Sequence, residues 1–350
     1  MPPAKAAMKA WRVVRHGAPS AALSLDDVPE PQPAAGQLRV RVAASVCNFN
    51  EVDGCYGRYL TVNPPLPYTL GMEACGVVDA AGAGAERWLG RRVTACAVGA
   101  FGAHAEAMLA DPAMVFDAPA SLDDTAACAL YFPFHVGWLA LHERGRLQPG
   151  EWLLVHAGAG GVGSAALQLG VAHGARVLAT ASTPEKRAFC RALGAEHALD
   201  ARSPQFAEEA VAATGGHGLD VVCDLIGGDA TLATLPAMAR GGRLVMAGFS
   251  GDIGAEDRAL LTPRPLLFGN FSVAGVMLAY TGGPTKYGGV NLLPRSVGDT
   301  AQREIVRLLE ASRVRPIVGR VASYRALPVE LERLEARATT GRSVLDWRQG

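Results

Sequence analysis

Trp152-Leu-Leu-Val-His-Ala-Gly158-Ala-Gly160-Gly161-Val162-Gly163-Ser-Ala-Ala-Leu-Gln168 is the stretch on which the reading of this chain turns. An apolar run ends in a Gly-x-Gly-x-x-Gly turn and passes directly into an amphipathic segment that stops at Gly174. Strand, glycine turn and helix in immediate succession are the context in which this pattern signals dinucleotide binding. On that reading Gly158 permits the tight turn, Gly160 lets backbone N–H groups approach a pyrophosphate, and Gly163 lets the helix lie close on the strand. The N–H groups around Gly161 and Val162 face the phosphates from the positive end of the helix. A glycine-rich turn with a purely structural purpose is the alternative.

The next apolar run, Arg176-Val-Leu-Ala-Thr-Ala-Ser182, reads as a neighbouring parallel strand. An NAD-selective site carries Asp or Glu at its end, to hold the ribose 2′-hydroxyl. Here the chain continues Thr183-Pro184-Glu185-Lys186-Arg187, with no acid at the strand end to repel a 2′-phosphate. Ser182 can donate a hydrogen bond, and Lys186 and Arg187 follow on a helix capped by Thr183 with Pro184 at its first position. One of the two cations needs to face the cofactor, and helix position turns Glu185 outward. NADPH is therefore expected in preference to NADH.

Strands and helices continue to alternate. Leu219–Ile226 precedes Gly227-Gly228, Gly242–Phe249 precedes Ser250-Gly251, and Asn270–Val276 is a third apolar run. That pattern predicts an α/β class, doubly wound around a parallel sheet. Ligands of such sheets lie beyond the carboxyl ends of the strands, which places Leu225, Ile226, Gly248, Phe249 and Ser250 near the cofactor. Ordinary core packing is the competing explanation for Leu225 and Ile226.

With 350 residues the chain exceeds what one core usually supports, so two domains are expected. Its 33 basic and 33 acidic residues give zero net charge, and no basic block or charged tail suggests nucleic acid or a membrane surface. The start, Met1-Pro-Pro-Ala-Lys-Ala-Ala, lacks the apolar core of a signal peptide, and no run reaches the roughly 18 apolar residues of a membrane span. A cytoplasmic location is the expectation. Residues 8–130 are rich in Val, Gly and Pro with short alternating runs, and read as an all-β, barrel-like module. Residues 131–275 form the nucleotide domain and 276–350 return to the first, through a helical stretch from Pro328 to Ala338 and a strand around Ser343 to Trp347. Gly282 to Gly289 reads as a flexible loop, either a lid or a surface excursion.

None of the seven cysteines forms a Cys-x-x-Cys pair, which argues against structural zinc and against a disulfide framework. Most lie in apolar runs and read as small core residues. Among the histidines, His135 reads as cleft-lining or structural, His156 as a satisfied core residue, and His104 as part of an apolar segment with Phe101 and Ala103. None has a Ser or Asp partner at the spacing of a hydrolytic triad.

Further residues match, in order, along almost the whole chain. They are Asn48-Phe49 with Gly57-x-Tyr59, Pro64-Pro-Leu-Pro67 leading to Gly71-Met72-Glu73, and the turn Gly160-Gly161-Val162-Gly163. Ser182-x-Pro184-Glu185-Lys186, Leu193-Gly194-Ala195, Gly227-Gly228, Gly241-Gly242-Arg243-Leu244 and Ala338-x-x-Gly341-Arg342 continue the series. In these the chain resembles the medium-chain dehydrogenase/reductases, and within them the zinc-independent quinone oxidoreductases. The resemblance implies a GroES-like β-barrel domain interrupted by a doubly wound Rossmann domain, with the active site in the cleft between them. It implies Ser182, Lys186 and Arg202 beside the 2′-phosphate, and assigns Met277 and Arg342 to the cofactor-binding set. Asn48 becomes a pocket residue that hydrogen-bonds the nicotinamide ribose or the substrate carbonyl. It further implies that the catalytic-zinc positions of the family's alcohol dehydrogenases stand here as Asn48, Met72 and Phe132, a set that does not suit zinc.

Without zinc there is no Lewis acid to polarise an alcohol, and hydride transfer to an already electrophilic acceptor remains. A quinone is one such acceptor. The alternative is an α,β-unsaturated carbonyl, a 2-alkenal or enoyl thioester, for which the resemblance makes Tyr59 the proton donor. A third possibility, of another class, is an NADPH-binding protein that acts through an interaction surface. Three departures from the family pattern stand out: Ala201 before Arg202 where relatives have Tyr, Asp53 where relatives often place a Tyr facing the substrate, and a long Tyr280–Arg295 stretch. The segment Ser272–Val276 resembles the sheet-edge strand through which relatives pair, so a homodimer is expected.

Overall fold

Period-two alternation builds the first strands, β1 (Ala7–Val13), β2 (Leu23–Pro29) and β3 (Leu38–Val46). In β3 the side chains of Leu38, Val40 and Val42 are buried while Arg41 between them is exposed, so one face meets the core. Helix α1 (Pro19–Ala22) lies between β1 and β2, and α2 (Phe49–Tyr56) follows β3. The chain continues through β4 (Tyr68–Thr69), β5 (Glu73–Ala81), β6 (Arg92–Ala97) and β7 (Ala107–Asp117) to α3 (Asp124–Trp138). This is a computed structural model, and it describes residues 7–58, 64–251, 261–287 and 289–349.

Two compact units divide the chain: Met1–Tyr131 with Ala279–Val297 and Val318–Gly350, and Phe132–Leu278 with Gly298–Ile317. The stretch expected as a single return, 276–350, is thus shared, its segment Gly298–Ile317 clustering with the second unit. In the first unit, β3 pairs with both β5 and β7, so that β3, β5, β6 and β7 close on themselves. Closure of this kind leaves no free edge among the four strands. The core here joins Val40, Val93, Val115, Leu331 and Leu345.

The second unit is built around mainly apolar runs: β8 (Trp152–Val155), β9 (Arg176–Ala181), β10 (His197–Asp200), β11 (Leu219–Asp224), β12 (Met238–Met246) and β13 (Ser272–Gly275). Strands buried on both faces lose the alternation of a one-sided sheet, as all four residues of β8 show. They form one parallel sheet in the order β10-β9-β8-β11-β12-β13. Its order reverses between β8 and β11, the kind of switch point at which α/β sheets bind ligands. The intervening helices are α4 (Gly161–His173), α5 (Pro184–Ala192), α6 (Phe206–Ala213), α7 (Asp229–Thr234) and α8 (Pro263–Gly269).

The Gly282–Gly289 piece lies within a paired excursion. Short strands β14 (Tyr280–Thr281), β15 (Lys286–Tyr287), β16 (Val290–Asn291) and β17 (Leu293–Pro294) pair as β14 with β17 and β15 with β16. Its base is planted on β7: the Tyr280 ring meets Phe116 edge-on at 6.0 Å, and the Arg295 guanidinium lies 4.0 Å from the Phe116 ring centre. Helix α9 (Arg295–Glu310), β18 (Val318–Ser323), α10 (Leu327–Glu335) and β19 (Arg342–Asp346) complete the chain. The last two match the expected C-terminal helix and strand. Among the described residues no helix is long and apolar enough to cross a membrane.

Candidate functional site

The glycine turn divides its labour differently from the sequence expectation. The left-handed residue is Ala157, at φ 51°, and Gly158 is not among the positive-φ positions. Gly158 is required by crowding: a Cβ there would stand 2.8 Å from the Ala179 Cβ and 3.0 Å from the Cys190 sulfur. At Gly163 a Cβ would come within 2.1 Å of the Ala157 carbonyl oxygen, so only glycine lets α4 seat against the turn. Gly160 is different, because its nearest obstacle is that same carbonyl at 3.3 Å, and its outer side is open to an incoming group. The N–H groups of Gly161, Val162 and Gly163 lie in the first turn of α4, where a helix has no internal acceptor for them. That cradle fits a pyrophosphate.

Ser182 follows the end of β9, and Thr183 caps α5 by accepting the Lys186 N–H at 3.3 Å. Arg187 is committed elsewhere, donating to the Asp200 carboxylate at 2.8 Å and to the Ala181 carbonyl at 3.4 Å. Asp200 pairs in register with Ala181, so an acid does stand beside this strand end, supplied by the neighbouring strand. The sequence reading missed it because the two positions are far apart in the chain. Its charge is met by Arg187 and by the Arg202 N–H at 3.0 Å.

At the other strand ends, Asp224 ties its own turn by accepting the N–H groups of Ile226 (2.9 Å) and Gly227 (3.1 Å) and the Thr231 hydroxyl. Ser250 donates its hydroxyl to the Leu225 carbonyl at 2.8 Å, which draws the loop of Gly248, Phe249 and Ser250 against the end of β11. Leu225 is buried and reads as core, whereas Ile226 and Phe249 are half-buried and Met277 is 48% exposed. Every expected cofactor residue except Arg342 therefore lies in the second unit, at the carboxyl ends of its parallel strands.

Arg342 belongs to the first unit and sits in its interior. Its guanidinium bonds Glu73 and donates to the Asn48 side-chain oxygen at 3.0 Å, all three side chains being buried. The Asn48 amide nitrogen donates to the Val46 carbonyl at 3.1 Å and to Glu73 at 3.3 Å. These partners fix which way the amide points, since Arg only donates and the carbonyl and carboxylate only accept. The amide hydrogens are committed, and the oxygen accepts from Arg342. The Asn48 side chain is thus tied on both its nitrogen and its oxygen, at the start of α2. Its other expected partner in chemistry, Tyr59, lies outside the described residues.

Asp53 neither faces solvent nor stands alone. Its side chain is 4% exposed and pairs with Arg58 at 3.0 Å, and burial pushes its carboxyl up against the pull of that cation. His156 is a core residue held between the hydroxyls of Thr180 (3.1 Å) and Thr234 (2.9 Å). His135 is fully buried against Gln302 at 2.9 Å. His104 is the surprise: its ring bridges Ser45 at 2.9 Å and Glu51 at 3.0 Å, a contact that no local spacing announced. A Ser–His–Glu line results, but Ser45 is fully buried on β3 and open to no acyl group.

All seven cysteines are buried and unpaired, and burial pushes the thiols up, Cys75 and Cys223 to about 12 and Cys190 to about 11. They remain protonated core residues. Among the described residues no three His, Cys, Asp or Glu side chains converge to hold a metal. Asn48 has its amide filled, and Met72 offers a thioether whose sulfur accepts from Asn50 at 3.5 Å. Neither supplies the thiolate, imidazole or carboxylate that zinc binds, so this donor set does not fit the metal.

Comparison with known proteins places these units. Residues 34–120 match the alcohol dehydrogenase GroES-like domain and residues 161–290 the zinc-binding dehydrogenase domain. The quinone oxidoreductase of Thermus thermophilus, solved also in complex with NADPH, is 34% identical, with 97% of this chain and 100% of that one aligned at a TM-score of 0.77. The quinone oxidoreductase of Pseudomonas syringae pv. tomato is 28% identical over 97% of this chain and 99% of that one, at a TM-score of 0.82. Among curated proteins, the phthioceranic/hydroxyphthioceranic acid synthase of Mycobacterium tuberculosis is 38% identical over 217 residues. That match spans 62% of this chain and only 10% of the synthase. The chain belongs to the medium-chain dehydrogenase/reductase superfamily, as a quinone-oxidoreductase-like oxidoreductase.

Proposed function

We propose that the protein is an NADPH-dependent, zinc-independent reductase that transfers hydride to a quinone. The observation that carries this reading is the state of Asn48 and Met72, an amide with both hydrogens committed and a thioether. Neither can act as a Lewis acid or a strong oxyanion donor, which favours an acceptor that is electrophilic by itself. A quinone qualifies, because hydride addition yields a phenolate that aromaticity stabilises and that water can protonate. Bound NADPH would supply the hydride. Gly160 gives the pyrophosphate room, the first turn of α4 supplies N–H donors, and Ser182, Lys186 and Arg202 receive the 2′-phosphate. Asn48 orients what binds beside it.

The match to the mycobacterial synthase favours a second reading, conjugate reduction of an enoyl thioester. That reaction needs an acid for the α-carbon, and Tyr59 is the candidate, since a phenol of ordinary pKa about 10 still donates at neutral pH. Loss of NADPH absorbance, with benzoquinone, phenanthrenequinone, hexenal and crotonyl-CoA as acceptors, separates the two. Quinone turnover that survives Tyr59→Phe, with NADPH favoured over NADH by about tenfold or more in kcat/KM, is expected. Turnover confined to hexenal or crotonyl-CoA and lost with that change would establish the second reading instead. A cytoplasmic homodimer completes the proposal.

A further inference from the structure

Glu51 gathers donors from three separate parts of the first unit, and the Asn48 side-chain amide also reaches it at 3.5 Å. Its carboxylate accepts the Asn48 backbone N–H at 3.0 Å, the Met72 backbone N–H at 3.0 Å and the His104 ring Nε2 at 3.0 Å. Those groups come from the start of α2, the link between β4 and β5, and the link that precedes β7. On the far side of His104, Nδ1 meets the Ser45 hydroxyl at 2.9 Å, and that oxygen accepts the Trp347 indole N–H at 2.8 Å. An indole nitrogen can only donate, so the Ser45 proton is free to point at Nδ1, and Nε2–H at Glu51. Every polar atom of the line is then satisfied, although Ser45 and His104 are fully buried and Glu51 is 4% exposed.

We infer that Glu51 and His104 are positioning residues, which hold the backbone at Asn48 and Met72 in place and thereby aim the Asn48 oxygen. The inference rests on the reductase reading for its kinetic consequence. Asn48 is gripped from two directions: Arg342 and Glu73 orient its amide, and Glu51 fixes its main chain and meets the amide at 3.5 Å. Met72, the neighbour of Glu73, is held by the same carboxylate. His104 sets where that carboxylate lies, and Gly71 lets the His104 segment approach, since a Cβ there would fall 2.2 Å from the His104 backbone nitrogen. Displacement of a binding group by about 1 Å can cost on the order of a hundredfold in rate.

His104→Phe keeps the ring and removes both hydrogen bonds, while His104→Gln retains an N–H for Glu51. The full chain of each is compared with wild type in kcat and KM for benzoquinone, NADPH affinity by fluorescence, thermal midpoint, and amide hydrogen exchange. The Phe variant is expected to lose about a hundredfold in kcat with NADPH affinity unchanged. Its Asn48 and Met72 amides should exchange about tenfold faster while those of β8 and β9 do not change. The Gln variant should recover most of both. Unchanged exchange at these two amides, or equal loss in both variants in proportion to the folded fraction, overturns the inference. Glu51→Asp, which withdraws the carboxylate by one methylene, carries the same expectation if the Phe variant does not fold. A wild-type protein inert toward quinones defeats the proposed function alone, because the exchange result still decides whether the two amides are pinned.

Discussion

At the scale of single residues, the Arg342–Glu73 pair shows how charge can be kept inside the barrel unit. Both side chains are almost wholly buried, and Asn48 bonds to each. Removing one partner leaves a buried charge without its counter-ion, which typically costs about 3–5 kcal/mol. Arg342→Met should therefore lower the unfolding free energy by about that amount in urea titrations, and adding Glu73→Gln should restore much of it. A second residue prediction concerns His142, whose ring lies 4.7 Å from that of His173. Burial, and then the charge of His173, lower its pKa from the usual 6.5 to about 4, with Glu304 pulling weakly the other way. Between those values the unfolded chain takes up a proton that the folded chain refuses. Stability should fall as pH drops from about 6.5 to 4, by about 2 kcal/mol after allowance for partial exposure, and His142→Phe should flatten that slope in thermal melts.

Among the elements, the turn into α4 separates two reasons for glycine that look identical in the chain. Gly163→Ala forces a Cβ into a backbone carbonyl and should destabilise by several kcal/mol, visible as a large loss of thermal midpoint. Gly160→Ala meets only a 3.3 Å contact, so the fold should survive while NADPH affinity falls about tenfold or more. A variant at Gly160 that binds NADPH normally would remove the pyrophosphate assignment. The same element shows how the sequence reading can be right about a motif and wrong about a position. The spacing announces a tight turn, but Ala157 is the residue that turns left-handed, while Gly158 is required by the side chains of β9 and α5 that crowd it. The β14–β17 excursion teaches the converse. Its glycines suggest a loose loop, and aromatic and cationic contacts at its base hold it to β7.

For the whole molecule, β13 ends the parallel sheet with one side unpaired among the described residues, and α8 nearby exposes Leu267 (72%) and Phe268 (81%). An open edge and bare apolar side chains need cover, which is the physical basis for expecting a second copy. Light scattering on the purified protein should return about twice the mass of one chain, and Val273→Pro with Phe268→Asp should return one. A monomer in the unmodified protein would remove that part of the proposal.

Sequence by itself determined the α/β class, the parallel sheet, the glycine cradle and the strand ends at which a dinucleotide belongs. These rest on periodicity and on residues adjacent in the chain, where local sterics and hydrogen bonding act. Only tertiary structure decided that Asp200 stands beside Ala181, that Arg187 neutralises it, and that Arg342 and Glu73 orient Asn48. The Ser45–His104–Glu51 line likewise joins residues as many as 59 positions apart. Such groups meet because strand pairing and burial bring them together, and a buried polar atom must find its partner in space, however distant that partner lies in the chain.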